Sequence, residues 1–521
     1  MSGQAPAPLR SPFTTLKLET EDATRQLAED LAVILRSGDT VLLSGDLGTG
    51  KSTLSRALLR SLAGDPELEV PSPTFTLVQT YRLDRLEVAH FDLYRLEEPE
   101  EVEELGLAEE LETGAALIEW PEMAADLLPE NALWLQLTET GEVGPDGEAV
   151  RTAAFQSVNP DWQKRVQRTL GLRRFLDEND YPNASRFHIA GDASTRNFEQ
   201  IVLSKKTAIL MDWPEPEGAA ATPEALAYNA LVHRALDCRS FVAVAGELRR
   251  RGFGAAGVLA SSVANGMLLL EDLGSEGIVD GKGAPLPDRY HAAMRVLVRL
   301  HSESLPQNVP LSDGGSYHVP DYSLKALLTE AELYVDWFAP DKLGRSVSDD
   351  DRQAFRALWT VAINEAQKAE CSWVLRDVHS PNILWQQDKD GDDRVGLIDL
   401  QDTVWGPVAY DVASVALDAR VDVSEELEKQ LLMTYFEARQ QANPEFDRVR
   451  FEAAYAIMAA QRLTKILGIF VRLAKRDGKT GYLVHAPRLI GYMDRVLQHP
   501  SLAGLKDWFE KSGLFLKRTG E

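Results

Sequence analysis

An apolar pentapeptide, Thr40-Val41-Leu42-Leu43-Ser44, and a stretch of helical spacing from Lys51 to Leu62 enclose Gly45-Asp46-Leu47-Gly48-Thr49-Gly50-Lys51-Ser52. That octapeptide matches G-x-x-x-x-G-K-[ST] in its required setting, after a strand and opening a helix. Its glycines let the backbone wrap a phosphate, and the amides together with the helix N-terminus attract the charge. Gly45, Gly48, Thr49, Gly50, Lys51, Ser52 and Thr53 are therefore read as ATP-binding, with Lys51 reaching the β- and γ-phosphates and Ser52 holding magnesium. Such a loop needs an acidic partner at the end of a neighbouring strand. Two carboxylates close apolar runs: Asp92 after Val88-Ala89-His90-Phe91, and Glu119 after Ala115-Ala116-Leu117-Ile118.

Over residues 13–150 strands alternate with helices, which predicts an α/β domain built on a parallel sheet covered on its faces. Leu133–Leu137 and Arg151–Phe155 flank a turn-rich segment and predict a closing hairpin. A boundary near Asn159-Pro160 follows, giving a tail at 1–12, a first domain at 13–158 and a second at 161–521. In the second, a hairpin over Phe198–Leu203 and Thr207–Asp212 and a strand at Met267–Glu271 precede mainly helical patterning. That order predicts an α+β domain of two lobes, a small one at about 161–280 and a large one at about 281–521.

The second domain has its own chemical motif. Arg376-Asp377-Val378-His379-Ser380-Pro381-Asn382 is followed, 22 residues after Asp377, by Asp399 at the end of an apolar strand. Phosphoryl transfer is mostly positioning and charge neutralisation. In that scheme Asp377 orients or deprotonates the substrate hydroxyl, and Asn382 and Asp399 hold magnesium against the nucleotide. Asp411 is read as a brace for the catalytic loop, and His233, His291 and His301 as packing residues. Arg420 and Trp405 are read as either substrate contacts or structural groups.

Charge narrows the partners. Residues 1–160 carry 30 acidic and 11 basic side chains, net −19 of the chain's −26. An acidic surface binds nucleic acid poorly without basic help, so any role on RNA runs through partner proteins. The run Glu97 to Glu104 is read as a solvated helix start, or as a docking face for such a partner. Only Cys238 and Cys371 are present, which argues against a disulfide scaffold or a cysteine zinc site. No apolar run of 18 residues and no secretory leader are found, so a cytoplasmic protein with no membrane contact is expected.

Four segments of the first domain occur in a telling order: Gly45 to Ser52, Ser72-Pro73-Thr74-Phe75-Thr76-Leu77-Val78, His90-Phe91-Asp92-Leu93-Tyr94-Arg95-Leu96, and Ile118-Glu119-Trp120-Pro121-Glu122. Over about residues 13–157 the chain resembles the TsaE family, the ATPase subunit of the bacterial machinery that makes threonylcarbamoyladenosine in tRNA. The resemblance implies that Thr74 lies in a switch-like loop near the γ-phosphate, that Asp92 is needed for hydrolysis, and that Glu119 acts on magnesium or water. It also implies TsaB and TsaD as partners, with tRNA reached only indirectly.

Residues 162–521 resemble the aminoglycoside phosphotransferase family of small-molecule kinases, which share the protein-kinase fold. The matching segments are Ala190 to Arg196, Ile209 to Asp212, Leu269 to Gly274, Trp373 to Trp385, and Asp399 to Asp402 with Gly406 to Asp411. They are most similar to the AmgK branch, which phosphorylates N-acetylmuramate and N-acetylglucosamine at the anomeric hydroxyl in cell-wall recycling. The resemblance implies ATP contacts at Arg196 and along a hinge from Glu271 to Leu273. One departure stands out: the strand Ala208-Ile209-Leu210-Met211-Asp212 lacks the phosphate-pairing lysine of many kinases. Arg196, Lys205 and Lys206 are the basic residues nearby. Three other readings stay open: an aminoglycoside-modifying or other hydroxyl kinase, a regulatory pseudokinase, and a first domain acting as a nucleotide-dependent assembly module.

Overall fold

The computed structural model describes residues 11–189, 196–311 and 314–513. The expected tail, apart from Ser11 and Pro12, lies outside them, as does most of the Ala190–Arg196 segment, of which Arg196 is described. The chain packs as two compact units, one ending at Asp212 and the other starting at Trp213.

The first unit runs β1 (Thr14–Leu18), α1 (Glu21–Ile34), β2 (Thr40–Ser44), α2 (Lys51–Ala63), β3 (Val78–Arg82), β4 (Glu87–Asp92), α3 (Glu101–Glu104), α4 (Leu107–Thr113), β5 (Ala115–Glu119), β6 (Leu133–Val143) and β7 (Ala149–Gln156). Local signals set the helix ends. Thr20 Oγ1 accepts the Ala23 amide at 3.1 Å to start α1, and the left-handed Gly64 ends α2. The strands form one sheet in the order β1-β7-β6-β2-β5-β4-β3. β4, β5, β2 and β6 are parallel, as the alternating pattern predicts. The edges are antiparallel: the predicted β6–β7 hairpin, β1 on β7, and β3 on β4. A sheet can end this way because hairpin and edge strands need no crossover helix. Strand periodicity divides two cores. Val41, Leu43, Ala115 and Leu117 pack with α1 and α2 on one face, and Leu42, Phe91, Ala116 and Ile118 form the other.

The sequence boundary at Asn159-Pro160 marks a change of resemblance, and the packing runs on past it. Asn159 Oδ1 caps α5 (Pro160–Asp177) by accepting the Asp161 amide at 3.0 Å, with Pro160 in the first turn. Trp162 and Val166 of α5 belong to the core under α1 and α2. Arg165 forks onto Asp39 at 2.6 and 2.9 Å and bonds Ile34 O at 2.8 Å. β8 (Ser185–Ile189), β9 (Asn197–Leu203) and β10 (Lys206–Asp212) follow as an antiparallel set within this unit. The β9–β10 hairpin turns at Ser204-Lys205, where it is expected.

The second unit is mainly helical: α6 (Pro223–Leu231), α7 (Arg239–Arg250), α8 (Pro287–Ser302), α9 (Leu324–Leu333), α10 (Ala339–Leu343), α11 (Asp349–Ala366), α12 (Ala409–Ala416), α13 (Glu425–Ala442), α14 (Arg448–Asp477), α15 (Ala486–Val496) and α16 (Ala503–Ser512). Four antiparallel pairs complete it. They are β11 (Val258–Ser262) with β12 (Met267–Glu271), β13 (Asn308–Pro310) with β14 (Ser316–His318), β15 (Cys371–Val374) with β18 (Val404–Pro407), and β16 (Ile383–Trp385) with β17 (Val395–Leu397). By length and composition α14 is apolar enough to cross a bilayer, but 89% of its most apolar window is buried inside the fold. It is the core helix of the large lobe.

Two of the histidines read as packing residues are hydrogen-bonded within the fold. His291 Nδ1 meets Thr434 Oγ1 at 2.9 Å, and His301 Nδ1 meets Tyr435 Oη at 2.8 Å. Burial, with Arg439 adding to it, depresses the His301 imidazole to about 3. A ring kept neutral in the fold but protonated in the unfolded chain near pH 6.5 favours unfolding in acid. Its stabilising share is therefore whole above pH 6.5 and is lost as pH falls from 6.5 towards 3. Replacing His301 by Phe is expected to flatten this limb: the gap in melting temperature between variant and native chain should narrow steadily from pH 7.5 to pH 4.5. A constant gap would remove His301 from the acid sensitivity.

Candidate active sites

In the first unit the loop between β2 and α2 takes positive φ at Gly45 (+139°), Gly48 (+88°) and Gly50 (+102°). At Gly45 the close approach is decisive, because a Cβ would lie 2.3 Å from Leu137 O and 2.9 Å from Thr49 Oγ1. Gly45→Ala is expected to cost about 3 kcal/mol in chemical denaturation of this unit and to abolish nucleotide binding there. A variant of native stability would show that the loop can shift. Lys51 Nζ donates to Gly45 O at 2.6 Å and Asp46 O at 2.9 Å and sits 3.6 Å from the centre of the Trp120 ring. Burial lowers its pKa against the pull of Glu119, Glu122, Asp46 and Asp92.

Parallel pairing in register sets Asp92 beside Glu119 at the same end of β4 and β5. Each carboxylate organises one group. Glu119 accepts Ser52 Oγ through Oε2 at 2.8 Å, while Oε1 takes Ser55 Oγ at 2.8 Å and His90 Nε2 at 3.0 Å. Asp92 Oδ2 accepts Thr74 Oγ1 at 2.7 Å and Ser72 Oγ at 2.8 Å. Gly45 to Ser52, Thr74, Asp92 and Glu119 are thus brought together, and Thr53 lies in the first turn of α2 behind them. Sequence reasoning gave no role to Ser55, His90 and Ser72. The last two stand inside the quoted motifs, whereas Ser55 becomes visible only once helix spacing puts it one turn from Lys51.

In the second unit Arg376 and Asp399 hold left-handed backbones, φ +68° and +63°, an uncommon conformation for non-glycine residues that marks functional loops. Asp411 accepts the Leu375 amide at 2.6 Å and the Arg376 amide at 2.9 Å, so it braces the turn that presents Asp377. Asn382 Nδ2 donates to Asp377 O at 2.9 Å and to Asp399 Oδ2 at 3.4 Å, which joins the three motif residues. Gln401 Nε2 holds the other Asp399 oxygen at 2.9 Å. His379 Nδ1 turns back onto Asp377 O at 2.9 Å, a loop contact. Behind the loop, buried Glu330 takes Arg376 Nη2 at 2.5 Å, Lys465 Nζ at 3.0 Å and Tyr322 Oη at 2.5 Å. Burial pushes the Asp377 carboxyl up, but Lys465, His379, Arg376 and Arg462 outweigh it and hold the group below its ordinary value. Glu330 and Lys465 carry no local sequence signal, since they lie on α9 and α14, far along the chain from Asp377.

The hinge residues sit on the strand side. Glu271 ends β12; its carboxylate is taken by Arg249 Nη1 at 2.5 Å and its amide donates to Gly257 O at 2.7 Å. Leu273 is buried and packs against Gly396 of β17, two residues before the strand's exit towards Asp399. Arg196 lies in the first unit, over the Phe198 ring at 5.6 Å.

Among the described residues no group of three or more His, Cys, Asp or Glu forms a metal cage. The residues read as magnesium ligands instead pair one carboxylate with one neutral side chain: Glu119 with Ser52, and Asp399 with Asn382. That sparse, hard-oxygen set fits magnesium, which keeps waters and phosphate oxygens as its remaining ligands.

Comparison with known proteins finds a separate family around each site. The family described as "Threonylcarbamoyl adenosine biosynthesis protein TsaE" matches residues 18–145, and the "Phosphotransferase enzyme family" matches residues 188–451. An N-acetylmuramate/N-acetylglucosamine kinase of Caulobacter vibrioides is 34% identical over 359 residues, covering 66% of this chain and 96% of the kinase. The tRNA threonylcarbamoyladenosine biosynthesis protein TsaE of Rickettsia felis is 44% identical over 113 residues, 22% of this chain and 66% of that protein. Its counterpart in Rickettsia bellii is 43% identical over 112 residues, 22% of this chain and 77% of that protein.

Proposed function

We propose, for a chain that belongs to the TsaE family over residues 18–145 and to the phosphotransferase enzyme family over residues 188–451, a fusion of two ATP-using enzymes. The first is the ATPase subunit that supports threonylcarbamoyladenosine modification of tRNA together with TsaB- and TsaD-like partners. The second transfers the γ-phosphoryl group of ATP to the anomeric hydroxyl of N-acetylmuramate or N-acetylglucosamine, as a step of cell-wall recycling in the cytoplasm. The observation that supports the kinase most is the Asn382 amide, tied both to Asp377 and to Asp399.

In this reading Asp377 accepts the hydroxyl proton as the sugar oxygen bonds to phosphorus and the bond to ADP breaks. Its depressed pKa keeps it ionised at neutral pH. Asn382 and Asp399 hold magnesium, which when bound neutralises phosphate charge. The Glu271–Leu273 backbone reads the adenine. In the first unit Lys51 binds the β- and γ-phosphates, and Ser52 with Glu119 holds magnesium. Asp92 orients the attacking water, with Thr74 reporting the γ-phosphate.

The test is label transfer from ATP to N-acetylmuramate, N-acetylglucosamine and kanamycin, side by side. An acid-labile sugar 1-phosphate from the first two is the expected product. Kanamycin phosphate would make this a drug-modifying kinase, and no product from any acceptor would return the pseudokinase reading. For the first unit, ATP hydrolysis is expected to rise when TsaB- and TsaD-like proteins are added together.

A further inference from the structure

The phosphotransferase match begins at residue 188, yet its first three strands, β8 to β10, pack in the same compact unit as the phosphate-binding loop. A buried ion cluster sits where they meet α1. Arg186 of β8 is fully buried. Its Nε and Nη2 fork onto Glu199 of β9 at 2.7 and 2.9 Å, and its Nη1 donates to Asp30 of α1 at 2.7 Å. Asp30 also takes Arg173 of α5, through Nη2 at 2.8 Å and Nε at 3.2 Å. Arg173 Nη1 closes the cluster on Ala184 O, just before β8, and Thr169 Oγ1 donates to Asp30 O at 3.2 Å.

Three carboxylates, Glu29, Asp30 and Glu199, face the two guanidinium groups of Arg173 and Arg186. Asp30 and Arg186 are 3% and 1% exposed. A buried pair of this kind is costly to break from one side, because the remaining ion is left without a partner. Asp30 joins α1 to both α5 and β8, and its neighbour Glu29 adds weaker contacts to the same two elements, to Arg173 at 3.9 Å and from Ser185 Oγ at 3.3 Å. Two residues along β9 from Glu199, Asn197 reaches Asp212 at the close of β10 at 3.0 Å, and Arg168 of α5 holds the same carboxylate at 2.8 Å. The first phosphotransferase strands are thus tied to α1 of the ATPase domain through Asp30, and to α5 through Arg173 and Arg168.

We propose that Asp30, a residue of the ATPase domain, is a positioning residue for the phosphotransferase, fixing β8 and β9 through Arg186. The proposal rests on the kinase reading above for its activity readout. The two activities then share a framework without sharing chemistry: the ATPase domain is part of what makes the kinase a kinase.

The experiment compares the full chain with Asp30→Asn, which keeps the side chain's size and removes its charge. Hydrogen exchange of the amides of β8 (Ser185–Ile189) and β9 (Asn197–Leu203) and the KM for ATP in sugar phosphorylation are both measured, at a temperature where circular dichroism shows each chain folded. Expected are exchange of those amides about tenfold faster and a KM for ATP raised about tenfold, with kcat and the sugar KM within twofold. Removing the stranded cation as well, in Asp30→Asn with Arg173→Gln, is expected to recover part of both. If Asp30→Asn does not fold, the double variant takes its place with the same readouts. Unchanged exchange overturns the clamp. Faster exchange with an unchanged KM overturns the positioning role and leaves Asp30 a structural residue. A native chain that phosphorylates no sugar sinks the kinase reading and the positioning role with it, while the exchange data still decide the clamp.

Discussion

Asp377→Asn is expected to lower sugar phosphorylation by about a thousandfold or more while ATP hydrolysis at the first site continues. The substitution preserves shape, and the turn is held from outside Asp377 by Asp411 and by the Arg376–Glu330 pair. What is lost is the carboxylate that Lys465, Arg376 and Arg462 keep ionised. Because proton acceptance belongs to the transition state, kcat and kcat/KM should fall together, with KM for the sugar little changed. Steady-state kinetics with N-acetylglucosamine checks this. A variant retaining a tenth of native activity would remove Asp377 from the reaction.

Lys51→Ala is expected to lower ATP hydrolysis by the first unit about a hundredfold or more and to spare sugar phosphorylation. Two effects add here. The ammonium is the charge that meets the phosphates, and it also ties the loop through Gly45 O and Asp46 O against the Trp120 ring. Among the acidic neighbours that face it, Glu119 and Asp92 would be left without a cation, so nucleotide affinity should fall along with turnover. Hydrolysis measured with the TsaB- and TsaD-like partners present, alongside titration with ATP, separates the two effects. Loss of both activities in a folded Lys51→Ala chain would show that the sites depend on each other's chemistry.

The legible parts of this molecule are those whose cause is local. The phosphate loop could be read because three glycines, a lysine and a serine must stand at fixed spacing between a strand and a helix, and Asp92 and Glu119 because a carboxylate ending an apolar run lands at the ligand end of a parallel sheet. Asp377, Asn382 and Asp399 share that quality, since one turn and one hairpin set their separation. Asp411 was readable as a brace for the same reason, lying just beyond the second strand pair.

The rest depends on chain segments far apart. Nothing near Glu330 or Lys465 announces that helices α9 and α14 carry them to the back of the catalytic loop. The antiparallel edges of the first sheet follow from which strands pair, and the apolar pattern is the same for either pairing. The Asn159-Pro160 signal correctly marks the start of α5, but a capping residue and a proline report a helix end and say nothing of what the helix then packs on. Only the tertiary contacts of Trp162, Arg173 and Arg186 show that the first unit continues to Asp212.

The placement of α14 has a consequence for how the chain is made. Its most apolar window is a stretch that water and a bilayer would sort in opposite directions, and it emerges late in synthesis, from Arg448 onward. The helices it packs against earlier in the chain, α9, α11 and α12, have by then been translated, so docking can begin as it leaves the ribosome. Its later partners, the turns at Thr480–His485 and Pro500–Leu502 and helix α15, are still missing. Between the emergence of α14 and that of these later segments, one side of the apolar helix is uncovered, and in that window the growing polypeptide is exposed to aggregation.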